Sequence, residues 1–218
     1  MKDQDIHEVL KLVRQSIQGC NQPFLDELAQ KQPDPFFILI GCVLSLRTRD
    51  EVSAAACDRL FALADNPFSM GRLKKREIEK AIFPVGFYRR KAVQIRMMCQ
   101  KLCRDYKGLV PDSIEQLLDF EGVGRKTANL VVTLGYGKPG ICVDVHVHRI
   151  CNRLGYVKTE GPDETEYKLR EKLPHQYWKP LNKWLVAFGQ NRCLPISPYC
   201  SDCLVNFFCL KVGVSKFR

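Results

Sequence analysis

The chain has 218 residues, enough for one or two compact domains with a hydrophobic core. Its 27% charged and 45% hydrophobic residues exclude a disordered chain, and its formal net charge of +10 favours a polyanionic partner, nucleic acid first. The charge alone fits a merely basic protein equally well, and it specifies neither a sequence preference nor a reaction.

The start of the chain and its longest apolar run bear on where the protein works. Residues 2–5 read Lys-Asp-Gln-Asp, which is unlike a secretory or transit signal. The apolar run Phe36–Leu46 is too short to cross a bilayer and predicts a buried helix. We therefore expect an intracellular, cytoplasmic and nucleoid-associated protein that has no membrane partner.

The apolar residues follow helical spacing along most of the chain, beginning with Ile6, Val9, Leu10, Val13 and Ile17. An N-cap and proline pair predicts the start of the next helix, and Asp50 predicts a cap for the one after it. The cap pair is Asp34-Pro35, and the helix it starts is Phe36–Leu46. The further predicted helices are the one that follows Asp50, Tyr88 to about Tyr106, Glu164–Lys172 and Leu181–Phe188. The Tyr88 helix should turn its basic side chains, Lys91 among them, to solvent. Only Ile141–Val143 hints at a strand, so the predicted fold class is all-α.

A glycine pair between two helical patterns is the most informative motif. Gly122 and Gly124 flank the apolar Val123, and Arg125, Lys126 and Thr127 open the helix that follows. Glycine permits positive φ and close approach of a phosphate, and the N–H groups of a helix start bind anions. The motif predicts a helix-hairpin-helix with Val123 tucked inside, which clamps the DNA backbone without reading bases. The alternative is a plain tight turn between helices.

Lys126 is the candidate nucleophile. The positive end of the helix dipole disfavours a protonated amine in the first turn, and Schiff-base chemistry needs a free amine. The hairpin segment alone fits a lysine that only contacts phosphate.

Asp144, in the segment Val143-Asp144-Val145-His146, is the candidate carboxylate. Its position predicts an N-cap for the helix that contains Ile150 and Leu154. A capping carboxylate can also stabilise positive charge on a sugar ring, so the two roles are compatible. His146 and His148 do not share a helix face, and a His–His metal pair is not expected.

The eleven cysteines fall into two groups. An odd number in an intracellular chain argues against a disulfide framework. The scattered group, expected to be reduced core thiols, is Cys20, Cys42, Cys57, Cys99, Cys103, Cys142 and Cys151. The clustered group is Cys193, Cys200, Cys203 and Cys209. Four close thiolates can bind a tetrahedral zinc or a cubane iron–sulfur cluster, and the spacing alone does not decide between them.

The segments Gly122–Ala128 and Val143–His146, together with the four clustered cysteines, resemble the signature of the endonuclease III family of helix-hairpin-helix DNA glycosylases. The resemblance implies a 4Fe-4S cluster on those cysteines. It implies that Lys126 attacks the anomeric carbon of a damaged nucleotide, with Asp144 assisting, and that β-elimination then nicks the strand. The expected activity is that of a bifunctional glycosylase and AP lyase that flips oxidised pyrimidines out of duplex DNA.

Two further segments resemble the DNA-reading segments of that family. Gly86–Ala92 nominates Phe87 as a wedge inserted into the duplex. Ser45–Asp50 places Arg47 where many relatives have glutamine, and a guanidinium donates hydrogen bonds but accepts none. His146 is nominated as a further DNA contact. The loop Leu194–Tyr199 carries no cation, although the family loop is often basic, so we assign it no strong DNA contact.

The resemblance also implies the domain organisation and the partners. Residues 23–138 would form a six-helix module with the hairpin, and residues 1–22 with 139–218 a cluster domain, so that Lys126 and Asp144 face each other across a cleft. The partner would be double-stranded DNA with a damaged base or an abasic site, bound by a monomer. Three alternatives remain: mainly an AP lyase with narrow or altered glycosylase activity, a non-catalytic hairpin DNA-binding protein, or a redox sensor whose cluster switches DNA affinity.

Overall fold

The computed structural model describes residues 1–218 and is helical, with no strand, which confirms the all-α prediction. The helices are α1 (Ile6–Ser16), α2 (Phe24–Lys31), α3 (Pro35–Ser45), α4 (Asp50–Leu63), α5 (Pro67–Arg72), α6 (Lys75–Ile82), α7 (Tyr88–Tyr106), α8 (Ile114–Leu118), α9 (Arg125–Leu130), α10 (Val145–Leu154), α11 (Pro162–Lys172) and α12 (Trp178–Asn191). Short 3-10 turns lie at Asp3–Asp5 and His175–Tyr177, and α9 continues as a π-helical turn over Val131–Gly135. The strand suggested at Ile141–Val143 does not form, since these residues have no regular structure.

The chain forms two compact units. The central unit is Phe24–Gly140, and the terminal unit combines Met1–Pro23 with Ile141–Arg218. The boundaries between the two units therefore follow Pro23 and Gly140, one and two residues after the boundaries expected at residues 22 and 138. That each unit acts as a separate functional domain stays a prediction.

The central unit is built around α3. Every residue from Phe36 to Leu44 is buried, because α2, α4, α7 and α9 all pack on this helix. The carboxylate of Asp34 accepts a hydrogen bond of 2.7 Å from the N–H of Phe36, and Pro35 fills the first helical position. The predicted cap is thus confirmed, and such a cap is worth about 1 kcal/mol.

The prediction for Asp50 was wrong. Asp50 is the first residue of α4, whose N-cap is Arg49. Its carboxylate instead accepts a hydrogen bond of 3.1 Å from the N–H of Phe24, at the start of α2. The spacing did not predict the helices α2, α5 and α6. The helix α7 begins and ends where it was predicted.

The terminal unit is held together by α1, α10 and α12. The buried core includes Val9 and Val13 from α1, Val147 and Ile150 from α10, and Leu185 from α12. Because α1 packs on α12, the first helix of the chain belongs with its last part. None of the helices combines the length and the apolar character that a membrane span requires.

Candidate functional site

The segment between α8 and α9 forms a hairpin. Gly122 has a φ of +76°, which glycine adopts without strain. The N–H of Val123 donates to the carbonyl of Phe120 at 3.0 Å, and its side chain is buried, as predicted. Gly124 is the N-cap of α9, so the helix start follows the hairpin directly.

Gln94, on α7, holds the hairpin in place. Its side-chain Nε2 donates to the carbonyl of Glu121 at 2.9 Å. A Cβ atom on Gly122 would lie 2.2 Å from the same Nε2, well inside van der Waals contact. The φ of Gly122 therefore favours glycine, and a larger residue would also displace the Gln94 side chain from the Glu121 carbonyl. Gln94 was not predicted from the sequence, because nothing in its local pattern distinguishes it from any other polar residue on a helix.

Lys126 lies in the first turn of α9 with an exposed side chain, in front of the buried Thr127 and Ala128. The charge of Lys126 acts on the buried thiol of Cys42. Burial raises the pKa of Cys42 to about 12, and the positive charge of Lys126 opposes that rise. After Leu130 the helix widens into its π-helical turn, a distortion that is common at functional sites. The structure thus places an exposed lysine at the start of the hairpin helix.

The structure brings together the two residues nominated as DNA readers. Arg47 and Phe87 are both exposed, and both have positive φ, 52° and 57°. The guanidinium carbon of Arg47 lies 5.6 Å from the centre of the Phe87 ring, within cation–π range. Their backbones also approach closely, since a Cβ atom on Gly86 would lie 2.7 Å from the carbonyl oxygen of Arg47. The two segments form one surface.

Lys91 was expected on the solvated face of α7, and that expectation was wrong. Its side chain is buried, with 5% of the residue exposed. The Nζ donates to the carbonyls of Leu44 at 2.9 Å and Leu46 at 2.6 Å, and lies 3.3 Å from the Thr48 hydroxyl. Burial lowers the pKa of Lys91 to about 8. Helical spacing could have found it, because Lys91 shares a face with the buried Ile95 and Met98.

In the terminal unit, Asp144 is the N-cap of α10, as predicted. Its Oδ1 accepts hydrogen bonds from the N–H groups of His146 and Val147, both at 2.9 Å, and the residue is 8% exposed. The Nδ1 of His146 lies 3.1 Å from the Arg149 guanidinium, and a Cβ atom on Gly189 would lie 2.4 Å from it. The imidazole of His146 therefore packs against α12, and its contact with DNA stays a prediction.

The four clustered cysteines line one small cavity of the terminal unit. Burial raises the pKa of Cys203 to about 11, and it also raises the pKa values of Cys200 and Cys209. The Arg153 guanidinium donates to the sulfur of Cys193 at 3.4 Å, and apolar side chains form much of the remaining wall. The cavity thus has four thiols, three cationic side chains (Arg153, Arg192 and Lys211) and a partly apolar lining.

The arrangement of these thiols bears on which metal group they fit. Four cysteine thiols that line one cavity form a donor set that fits a 4Fe-4S cluster, and the same donor set also fits a tetrahedral zinc. Of the scattered cysteines, five are buried free thiols, and Cys20 and Cys103 are only partly buried.

The loop Leu194–Tyr199 is held from inside by Arg153. The two terminal nitrogens of the Arg153 guanidinium donate to the carbonyls of Leu194 at 2.6 Å and Pro195 at 2.7 Å. The tip residue Ile196 is 85% exposed. The loop thus presents an apolar tip, and the expectation that it makes no strong DNA contact stays a prediction.

The all-helical fold and the hairpin that leads into a lysine define a DNA-binding protein of the helix-hairpin-helix class. Residues 40–175 match the family described as "HhH-GPD superfamily base excision DNA repair protein". Endonuclease III of Thermotoga maritima is 45% identical over 179 residues, which cover 82% of this chain and 84% of that protein. The chloroplastic endonuclease III homolog 2 of Arabidopsis thaliana is 39% identical, and the match covers 80% of this chain but only 47% of that longer protein.

Solved structures give the same result. The chain resembles the protein in a non-covalent endonuclease III–DNA complex, with a TM-score of 0.85, 31% identity and coverage of 97% and 96% of the two chains. It also resembles the protein in a trapped endonuclease III–DNA covalent intermediate, with a TM-score of 0.84, 30% identity and coverage of 97% of both chains. The chain belongs to the endonuclease III family. It is a base excision repair enzyme, a DNA glycosylase with AP lyase activity.

Proposed function

We propose that this enzyme removes oxidised pyrimidines from double-stranded DNA, with Lys126 as the nucleophile and Asp144 as its carboxylate partner on the same nucleotide. The observation that carries the proposal is the position of the exposed residue Lys126 in the first turn of α9, directly after the Gly122–Gly124 hairpin. A hairpin that binds phosphate there fixes the backbone beside the amine.

The proposed reaction uses groups that the chain supplies. The lone pair of the Lys126 Nζ attacks C1′ of the flipped nucleotide as the C1′–N bond breaks, and the amine then passes one proton to the departing base. O4′ takes a proton from water as the C1′–O4′ bond breaks, and Nζ and C1′ are left joined as a protonated Schiff base. Loss of a C2′ proton then expels the 3′ phosphate oxygen by β-elimination, and water releases the amine. The carboxylate of Asp144 stabilises positive charge on the sugar as the base departs.

Most of the proposed DNA contacts lie on the same unit as Lys126. Arg125, Thr127 and the backbone of the Gly122–Gly124 hairpin would bind phosphate. Phe87 would wedge into the stack, and Arg47 would fill the gap left by the flipped base. Because Arg47 only donates hydrogen bonds, it should favour an opposite base that presents acceptors. His146 is proposed as a further contact from the terminal unit. The enzyme would act as a monomer.

We also propose that Cys193, Cys200, Cys203 and Cys209 hold a 4Fe-4S cluster. Such a cluster would cross-link the irregular segment after α12, which has little core of its own, and it would supply no step of base removal. Protein purified without oxygen should be brown and contain about four irons per chain. One equivalent of zinc in a colourless protein would contradict this assignment.

Borohydride trapping tests the proposed function. Wild-type enzyme is incubated with duplexes that carry an oxidised pyrimidine, an abasic site or no damage, and the freed base is measured in parallel. We expect covalent adducts on both damaged duplexes, free base from the first, and neither from undamaged DNA. An adduct on the abasic duplex alone would favour an AP lyase with altered glycosylase activity, the alternative that Arg47 motivates. Tight binding without any adduct would favour a non-catalytic binding protein.

A further inference from the structure

The buried ammonium of Lys91 joins two segments that carry exposed side chains. All three of its hydrogen-bond acceptors belong to the stretch Leu44–Thr48, which contains Arg47. Lys91 itself follows Phe87 by one helical turn on α7. We propose that Lys91 is a positioning residue, which fixes Arg47 against Phe87 so that Arg47 can fill the gap left by the flipped base.

The end of α3 needs such a donor. The last carbonyls of a helix have no partner within the helix, and a glycine beyond the end commonly supplies a cap. Here α3 ends at Ser45, Leu46 leaves the helical conformation with ψ of 118°, and Arg47 takes the left-handed conformation. The ammonium of Lys91 caps the Leu44 and Leu46 carbonyls instead, and a cation is also favoured at the negative end of the helix dipole.

Burying an ammonium is costly unless its donors are used. The nitrogen of Lys91 contacts three oxygens and no carboxylate, so these hydrogen bonds alone offset the cost of desolvation. A cap on α3 by itself would not require a buried charge, since a glycine provides one. What the lysine adds is a fixed connection from α7 to the segment that bears Arg47.

The Thr48 hydroxyl extends this connection to Phe87. It lies 3.3 Å from the Lys91 nitrogen and 3.2 Å from the Leu46 carbonyl, and it accepts a hydrogen bond of 3.1 Å from the N–H of Gly86. Gly86 is the residue directly before Phe87. One small polar network, formed by the Lys91 nitrogen and the Thr48 hydroxyl, therefore binds the backbone next to Arg47 and next to Phe87, the two residues with left-handed conformations.

The test compares two substrates and rests on the proposed role of Arg47. Single-turnover rates are measured on a duplex with an oxidised pyrimidine, which requires gap filling, and on a single strand with a preformed abasic site, which does not. Lys91→Met should slow the first by roughly 10- to 100-fold and leave the second unchanged. The control Lys80→Met removes an exposed charge from α6 and should change neither rate. Thermal unfolding establishes that each variant is folded.

A double-mutant cycle with Arg47→Ala separates the possible failures. If Lys91 acts through Arg47, Lys91→Met should have little further effect in the Arg47→Ala background. Additive losses, equal losses on both substrates, or no loss in Lys91→Met while Arg47→Ala is slow would each overturn the inference. No loss in Arg47→Ala would instead refute the proposed role of Arg47, and with it the inference. If Lys91→Met does not fold, Thr48→Val removes the shared hydroxyl, and it should give the same substrate split with a smaller loss.

Discussion

Replacement of Lys126 by glutamine should abolish the borohydride-trapped adduct on every damaged duplex. Glutamine keeps most of the length and polarity of the side chain but has no basic amine to form a Schiff base. Removing a covalent nucleophile typically costs several orders of magnitude, so strand nicking should fall by at least roughly a thousandfold. The fold should survive, because Lys126 is exposed and packs into no core. Gel analysis of trapped adducts and of nicked strand measures both effects.

The matched control is Arg125→Gln, one residue earlier in the same helical turn. It removes the same charge but leaves the amine. We expect weaker DNA binding, with a salt dependence reduced by about one phosphate contact, and an undiminished yield of adduct at saturating enzyme. Loss of the adduct in both variants would mean that the assay reports binding only.

An adduct that survives in Lys126→Gln would place the nucleophile elsewhere. Lys91 is then the first alternative to test, since burial lowers its pKa to about 8. Its nitrogen is, however, held by three acceptors and closed off from solvent. Accessibility therefore favours Lys126, and the comparison of Lys126→Gln with Lys91→Met decides between the two amines.

Local patterns predicted the parts of the fold that local physics determines. The Asp34 cap, the buried run of α3 and the limits of α7 all follow from spacing and capping chemistry within a few residues. The prediction for Asp50 failed because its carboxylate is used by a residue 26 positions away, the N–H of Phe24. A single sequence does not show whether the Asp50 carboxylate will accept a hydrogen bond from its own helix, α4, or from the start of α2.

The same distinction applies to the candidate site. Gly122, Val123 and Gly124 were predicted from the hairpin motif, and the structure forms that hairpin. The contact between Arg47 and Phe87, and the supports that Lys91 and Gln94 provide, join segments far apart in the chain. Nominating Arg47 and Phe87 required the family resemblance. The two supporting side chains became visible only when α7 was packed against its neighbours.

Replacement of Asp144 by asparagine should separate its two proposed roles. Its Oδ1 caps α10 through two hydrogen bonds of 2.9 Å, and asparagine caps helices about as well as aspartate. Asp144→Asn should therefore unfold at nearly the wild-type temperature, whereas Asp144→Ala should lose about 1 kcal/mol of stability. Both lack the negative charge, and both should release base at least roughly 100-fold more slowly.

The magnitudes make this comparison decisive. A hundredfold loss of rate corresponds to about 2.7 kcal/mol, more than a missing cap costs, and in the asparagine variant the cap remains. The control is Asp34→Asn in the central unit, where the same carboxylate cap on α3 has no proposed catalytic role and the rate should not change. Wild-type rates in Asp144→Asn with a destabilised Asp144→Ala would reduce Asp144 to a structural cap. The positive charge on the sugar would then need a different stabilising group.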